Sequence, residues 1–274
     1  MFFSCTQHYD SERIKINDSI TRKIYYREDG KIARRADAIN DSIKHGLDIH
    51  YFTNGKIKEI TPYKMGVVSG YVDHYYNSGT IKSKAFWQNN LPDGSCAEYS
   101  DEGIITAAGH YKNGKSYGSQ LFFYPSNRIK AYNAFDNSAN YFYLKFFSEE
   151  GSEIEKHGTL ISRNYGVEYW NDSSAFVDEN HVKLNSEFYL VFCVAHPPDN
   201  SLILATYKND MNNFDELITE TISNYGEEHR YRIKFDKIGK VRISIRALIS
   251  SNKLIDVLEG DTLNIDFNVK RVNK

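Results

Sequence analysis

GLDIHYFTNGKIKEITPY (residues 46–63) is followed by GYVDHYYNSGTIKSKAFW (70–87), GSCAEYSDEGIITAAGHY (94–111) and GSQLFFYPSNRIKAYNAF (118–135). Each copy begins 24 residues after the one before it. Five columns keep that period. The turn column reads Gly55, Gly79, Gly103, Asn127 and Gly151, with Gly30 opening the series 25 residues before Gly55. Four residues ahead of each turn stands an aromatic: Tyr51, Tyr75, Tyr99, Phe123 and Phe147. Nine ahead stands a second glycine, Gly46, Gly70, Gly94 and Gly118, which Phe142 replaces in the next copy. Two behind come Ile57, Ile81, Ile105 and Ile129, and eight behind come Tyr63, Trp87, Tyr111 and Phe135. Columns that recur together at one period mark a repeat architecture.

The chemistry of the columns fixes the unit. Runs rich in aromatic and β-branched residues, bounded by Asn-Gly, Ser-Gly or Glu-Gly pairs, read as two strands joined by a tight turn. Asn127 fits the turn column because asparagine also tolerates positive φ. One hairpin is too small to be stable in water, so the units are expected to stack and to bury a face between equivalent aromatics. The expected fold class is all-β: an N-terminal array of 24-residue hairpins over residues 20–170, after a tail at 1–19.

Gly46–Gly55 (GLDIHYFTNG) and Gly70–Gly79 (GYVDHYYNSG) resemble MORN repeats, and the linkers YKMGVVSG and YKNGKSYG resemble the variant form of bacterial antitoxin-type proteins. The resemblance covers roughly residues 20–158, with departures at Asn90, Asn127 and Phe142. It implies stacked hairpins and roles in protein scaffolding, lipid contact or toxin neutralisation. It transfers no catalytic residues, since fold does not imply function.

After HGTLISRNYGVEYW (157–170) the period is lost, and the polar stretch NDSSAFVDEN (171–180) reads as a boundary. From His181 onward six or seven alternating strands punctuated by turns predict a small immunoglobulin-like β-sandwich over 171–274, without the Cys…Trp…Cys pattern of antibody domains. HRYRIKFDKIGKVRISIR (229–246) reads as a hairpin whose Arg230, Arg232 and Lys234 share one exposed face with Arg242 and Arg246. That face is either a dock for an acidic partner or an ordinary solvated face neutralised by Asp210, Asp215, Glu216 and Glu220.

Composition narrows the function classes. Lysine and arginine number 34 against 36 aspartates and glutamates, so no global pull toward nucleic acid or membrane is expected. Three cysteines, Cys5, Cys96 and Cys193, form neither a disulfide framework nor a C-x-x-C site. MFFSCTQ at the start resembles the end of a lipoprotein signal without its charged and apolar leader. Either the start belongs to a longer signal and Cys5 is the lipid anchor of an envelope protein, or the resemblance is accidental and the chain is cytoplasmic.

No nucleophile elbow, P-loop, H-E-x-x-H or dinucleotide fingerprint occurs. His50 and His74 share one repeat column with Glu98 and Phe122, and read as positions filled variably rather than as metal ligands. The expectation is a protein without enzymatic activity and without cofactor or metal. What remains is surface. Tyr76 and Tyr124 follow ladder aromatics directly, so they are either exposed partner-binding residues or packing, if both faces of the array are covered. The sequence thus points to a binding or scaffold protein. Its partner is expected to be a protein, either a toxin that it neutralises or an outer-membrane complex that it joins through a lipid at Cys5.

Overall fold

The computed structural model describes residues 11–169, 176–178, 181–198, 200–210, 216–223, 228–236, 238–251 and 257–271. Every regular element among them is a strand. The first are β1 (Ser11–Lys15), β2 (Ile20–Tyr26), β3 (Ile32–Ile39), β4 (Ile43–Tyr51), β5 (Ile57–Lys64), β6 (Val67–Val68), β7 (Gly70–Tyr75), β8 (Ile81–Gln88), β9 (Leu91–Tyr99), β10 (Ile105–Lys112) and β11 (Lys115–Phe123). They continue as β12 (Ile129–Phe135), β13 (Tyr141–Phe147) and β14 (Glu153–Gly158). These 14 strands form one antiparallel sheet in chain order, with the short β6 pairing only β5. This is the expected array of consecutive hairpins.

Two kinds of turn alternate along it. At one end of the hairpins, Phe52 N–H donates to Lys56 O at 2.8 Å and Gly55 N–H donates back to Phe52 O at 3.0 Å. The same pair of bonds recurs around Gly79, Gly103, Asn127 and Gly151. All five residues have positive φ, from 61° at Asn127 to 95° at Gly79, so the turn column is a column of left-handed residues. At the other end the chain reverses on Asn40–Asp41, Met65–Gly66, Asn89–Asn90 and Asn113–Gly114. Both members of each pair have positive φ, as a type I′ turn requires.

The chain divides into two compact units, residues 1–116 with 122–128, and residues 117–121 with 129–274. Of the boundary read from sequence at 170–171, residue 170 and the following 171–175 lie outside the described residues. In the first unit most side chains are only half covered, and the buried apolar set is short: Ile24, Ala36 and Val72. A single sheet has no second layer, so its side chains shield one another along the strands.

The second unit has a conventional core. Beyond β14 come β15 (Gly166–Tyr169), β16 (Phe176–Asp178), β17 (His181–Lys183), β18 (Glu187–Cys193), β19 (Asn200–Asp210), β20 (Glu216–Ser223), β21 (Glu228–Lys234), β22 (Gly239–Ser251) and β23 (Val257–Lys270). They form sheets ordered β15-β18-β21 and β16-β17-β23-β22-β19-β20, and seven of these strands, β17 to β23, lie from His181 onward, within the six or seven expected there. Phe192, Tyr231, Ile233 and Phe235 of the first sheet and its edge pack with Val241, Ile243, Ile265 and Phe267 of the second. Phe235 and Phe267 meet edge to face at 5.3 Å. Tyr132, Ala134 and Tyr143 of β12 and β13 belong to the same core, so the last strands of the array help to fill the sandwich.

One expectation fails. Residues 229–246 are not a hairpin: β21 pairs β18 in one sheet, while β22 pairs β19 and β23 in the other. β21 ends at Lys234 in one sheet and β22 begins at Gly239 in the other. Alternation is kept, with Tyr231, Ile233, Phe235, Val241, Ile243 and Ile245 all buried. But the two sheets point opposite faces outward, so Arg230, Arg232 and Lys234 do not share a surface with Arg242 and Arg246. Period-two alternation says which residues are outside. It does not say whether neighbouring strands pair or arch over a core.

Candidate functional site

The registers explain the remaining columns. Tyr51 stands opposite Ile57, Tyr75 opposite Ile81 and Tyr99 opposite Ile105, closing each hairpin with an aromatic–isoleucine pair. Gly46 stands opposite Tyr63, Gly70 opposite Trp87 and Gly94 opposite Tyr111. Two columns 17 residues apart are therefore one cross-strand pair, a glycine faced by an aromatic. These glycines lie at φ +101°, +123° and +140°, where side chains are rarely accommodated. A Cβ at Gly46 would come 3.0 Å from Asp37 Cβ, at Gly70 3.0 Å from Pro62 Cγ, and at Gly94 3.1 Å from Phe86 Cβ.

Opposed residues share a face, so the pairings assemble a strip across β4, β5 and β7 to β10. Its first row is aromatic: Tyr63, Trp87 and Tyr111, each two strands from the next and thus about 10 Å apart. Its second row is small: Thr61 beside Asp48, Val72 opposite Ala85, Ala85 opposite Cys96, and Cys96 opposite Gly109. Its third row is polar: His50 opposite Glu59, Glu59 opposite His74, His74 opposite Ser83, and Ser83 opposite Glu98. Thr61 Oγ1 donates to Glu59 Oε1 at 2.7 Å. Burial first, then the charge of Glu98, push the Cys96 thiol above its ordinary value. Burial likewise raises the Tyr111 hydroxyl, with Cys96 and Glu98 adding to it. Both groups are thereby held neutral within the strip.

An ionic knot closes the strip at β4. Asp48, 3% exposed, accepts from Arg34 Nε and Nη2, both at 2.7 Å, and lies 2.9 Å from Lys44 Nζ. Lys44 also sits 4.4 Å from the centre of the Tyr63 ring, fixing the first aromatic of the row. Burial pushes the Asp48 carboxyl up, but the bonds from Arg34 and Lys44, with their charges, hold it below the usual carboxylate range.

The residues singled out from sequence are dispersed. Tyr76 is half-buried in its turn, and its hydroxyl donates to Tyr99 O in the next repeat at 2.8 Å, an inter-repeat tie. Tyr124 holds the equivalent turn, its N–H donating to Arg128 O at 2.8 Å. Arg232 pairs with Glu187 at 2.5 Å and Arg242 with Asp266 at 2.7 Å, and none of Arg230, Lys234 or Arg246 stands without a partner. The carboxylates seen on these arginines are Glu187 and Asp266, neither of which was among the neutralising candidates. Asp215 and Cys5 lie outside the described residues. Among the described residues no three His, Cys, Asp or Glu side chains are grouped to hold a metal ion.

The second unit contains two buried polar knots that no motif announces. Tyr132, 1% exposed, accepts from the His196 N–H at 2.7 Å and lies 3.2 Å from Ser119 Oγ; burial pushes its hydroxyl up to about 12. His229 stacks on Phe192 at 5.8 Å, and burial, with the nearby His196, pushes it down to about 4. Asp136, 2% exposed, accepts from the N–H groups of Ser138 and Asn140 and from Asn164 Nδ2. It thereby ties the 136–140 turn to the segment leading into the sandwich.

No curated protein matches the chain. Residues 44–65, which run from β4 through its turn to the end of β5, match the family model described as the MORN repeat variant. Repeats of this kind work in protein and membrane binding. The array therefore carries a MORN repeat of the variant type.

Proposed function

We propose that this chain is a non-enzymatic protein-binding protein whose array engages a partner through the strip carrying Tyr63, Trp87 and Tyr111. The observation that supports this reading is the glycine–aromatic pairing. Three positions with strongly positive φ are kept as glycine, and each faces an aromatic aligned beside a row of small residues. Evenly spaced, half-buried aromatics next to small side chains offer large contact area at low entropic cost. A toxin neutralised by occlusion is the partner that the variant-repeat resemblance favours. The test is capture of partners from native cells by the tagged full chain, with mass spectrometric quantitation. Trp87→Ala and Tyr111→Ala should lose a stoichiometric partner. Tyr71→Ser, which changes the opposite face where Tyr71 packs on Phe86, should retain it. An identical partner set for all three variants would sink the proposal.

The MFFSCTQ start supports a second reading, a lipid-anchored envelope protein attached through Cys5. Intact-mass analysis of the chain from its native membrane fraction should show a diacylglyceryl-type increment that Cys5→Ser abolishes. A cell fractionation that leaves the native chain wholly in the soluble fraction would refute it.

A further inference from the structure

The regularly alternating positions of the array divide their charges unevenly between its two faces. Over β5 to β10, the regularly alternating positions on the strip face bear two charged groups, Glu59 and Glu98, both in its polar row. Lys64, Lys84 and Lys112, the cations of the same strands that alternate regularly, lie on the other face, where Lys84 sits 4.7 Å from the Tyr71 ring and 3.7 Å from Asp73, while Lys58 and Lys82 occupy bulge positions. Lys44 and Arg34, on the strip face further along, are committed to Asp48.

We infer that the strip selects a basic amphipathic protein segment, one whose apolar side chains lie along the aromatic and small rows while its lysines or arginines lie along Glu59 and Glu98. This rests on the reading of the strip as the binding face. Apolar contact would supply affinity, and the acidic row would supply orientation and choice of partner.

Two histidines flank the acidic row. His50 faces Arg34 on one side and Glu59 on the other, with Asp48 3.4 Å away on its own strand. His74 faces Glu59 and Ser83, and its Nδ1 is 3.7 Å from Glu59 Oε2. Glu59 is thus flanked across the sheet by two imidazoles.

Three labelled peptides test this by fluorescence anisotropy with the full chain: alternating Leu-Lys, Leu-Ser and Leu-Glu. At pH 7.5 and moderate salt, Leu-Lys should bind at least about 10-fold more tightly than Leu-Ser, and Leu-Glu should bind least. Glu59→Gln/Glu98→Gln should remove the Leu-Lys preference while leaving Leu-Ser binding in place. Trp87→Ala should weaken all three. Circular dichroism should confirm that each variant folds. If Leu-Ser binds as well as Leu-Lys through Trp87, the charge selection is wrong and the binding face stands. If Leu-Lys binding is indifferent to Trp87, or no peptide binds, the strip itself is not the site.

Discussion

Substituting the glycines of the array should produce a graded loss of stability, because the two columns are glycine for different reasons. Gly103 lies at φ +82°, and a Cβ there would meet only Thr80 Cγ2 at an ordinary 3.6 Å. Alanine at 103 therefore carries little beyond the left-handed backbone penalty, about 1 kcal/mol. Asparagine should cost less still, since Asn127 already fills that column at φ +61°. Gly94 lies at φ +140°, and a Cβ would stand 3.1 Å from both Cβ and Cδ1 of Phe86. Phe86 is held in turn by an edge contact to Tyr71 at 5.2 Å, so it cannot withdraw freely. Backbone strain of about 2 kcal/mol and crowding of about 1 kcal/mol put Gly94→Ala near 3 kcal/mol. Urea unfolding followed by tryptophan emission reads this directly. With Trp170→Phe as background, Trp87 is the one reporter left, and it lies in the array. The expected order of midpoints is native, Gly103→Asn, Gly103→Ala, then Gly94→Ala well below. A Gly94→Ala midpoint equal to the native one, or above that of Gly103→Ala, would refute the cross-strand account of the second column.

Further outcomes are expected. His229 should make the sandwich acid-sensitive: with its folded value pushed down to about 4, the unfolded chain binds the extra proton below the ordinary 6.5. Its contribution is full above about pH 6.5 and is lost as the pH falls toward 4, roughly 3 kcal/mol in all, so His229→Phe should flatten stability against pH across that window. A variant retaining the native slope would show that other groups carry it. Asp48→Asn should cost about 2 kcal/mol, because Arg34 and Lys44 lose their carboxylate but remain partly solvated. Native-like urea unfolding of that variant would mean the knot contributes nothing net. Finally, cysteines at Arg242 and Asp266, which face each other across β22 and β23, should cross-link on oxidation, whereas cysteines at Arg232 and Arg242 should not. The reverse result would restore the hairpin reading of 229–246.

The array was legible because its constraints are local and repeated. Gly55, Gly79 and Gly103 each answer to a turn four or five residues long, and the period exposes them together. The pairing of Gly70 with Trp87 was visible only as two unexplained columns, since which strand faces which residue depends on the bulges within the sheet. The sandwich offers no such averaging. Tyr132 and His196 are 64 positions apart and meet because β12 packs into a core most of whose members lie beyond residue 159. Arg232 and Arg242 lie within one apparently perfect alternating stretch, yet they belong to different sheets. An arch between sheets and a hairpin within one bury the same alternate residues, so hydrophobic pattern alone cannot separate them. The difference lies in the partners that compete for each edge. β18 offers β21 a register of seven pairs from Glu187 to Cys193, and β23 pairs twelve residues of β22 from Gly239 to Ser250. A hairpin spanning 229–246 would forgo both, along with the Phe235–Phe267 contact that seals the layers. The choice is made by surfaces far along the chain, and a basic face read from one stretch of sequence dissolves once those surfaces claim its strands.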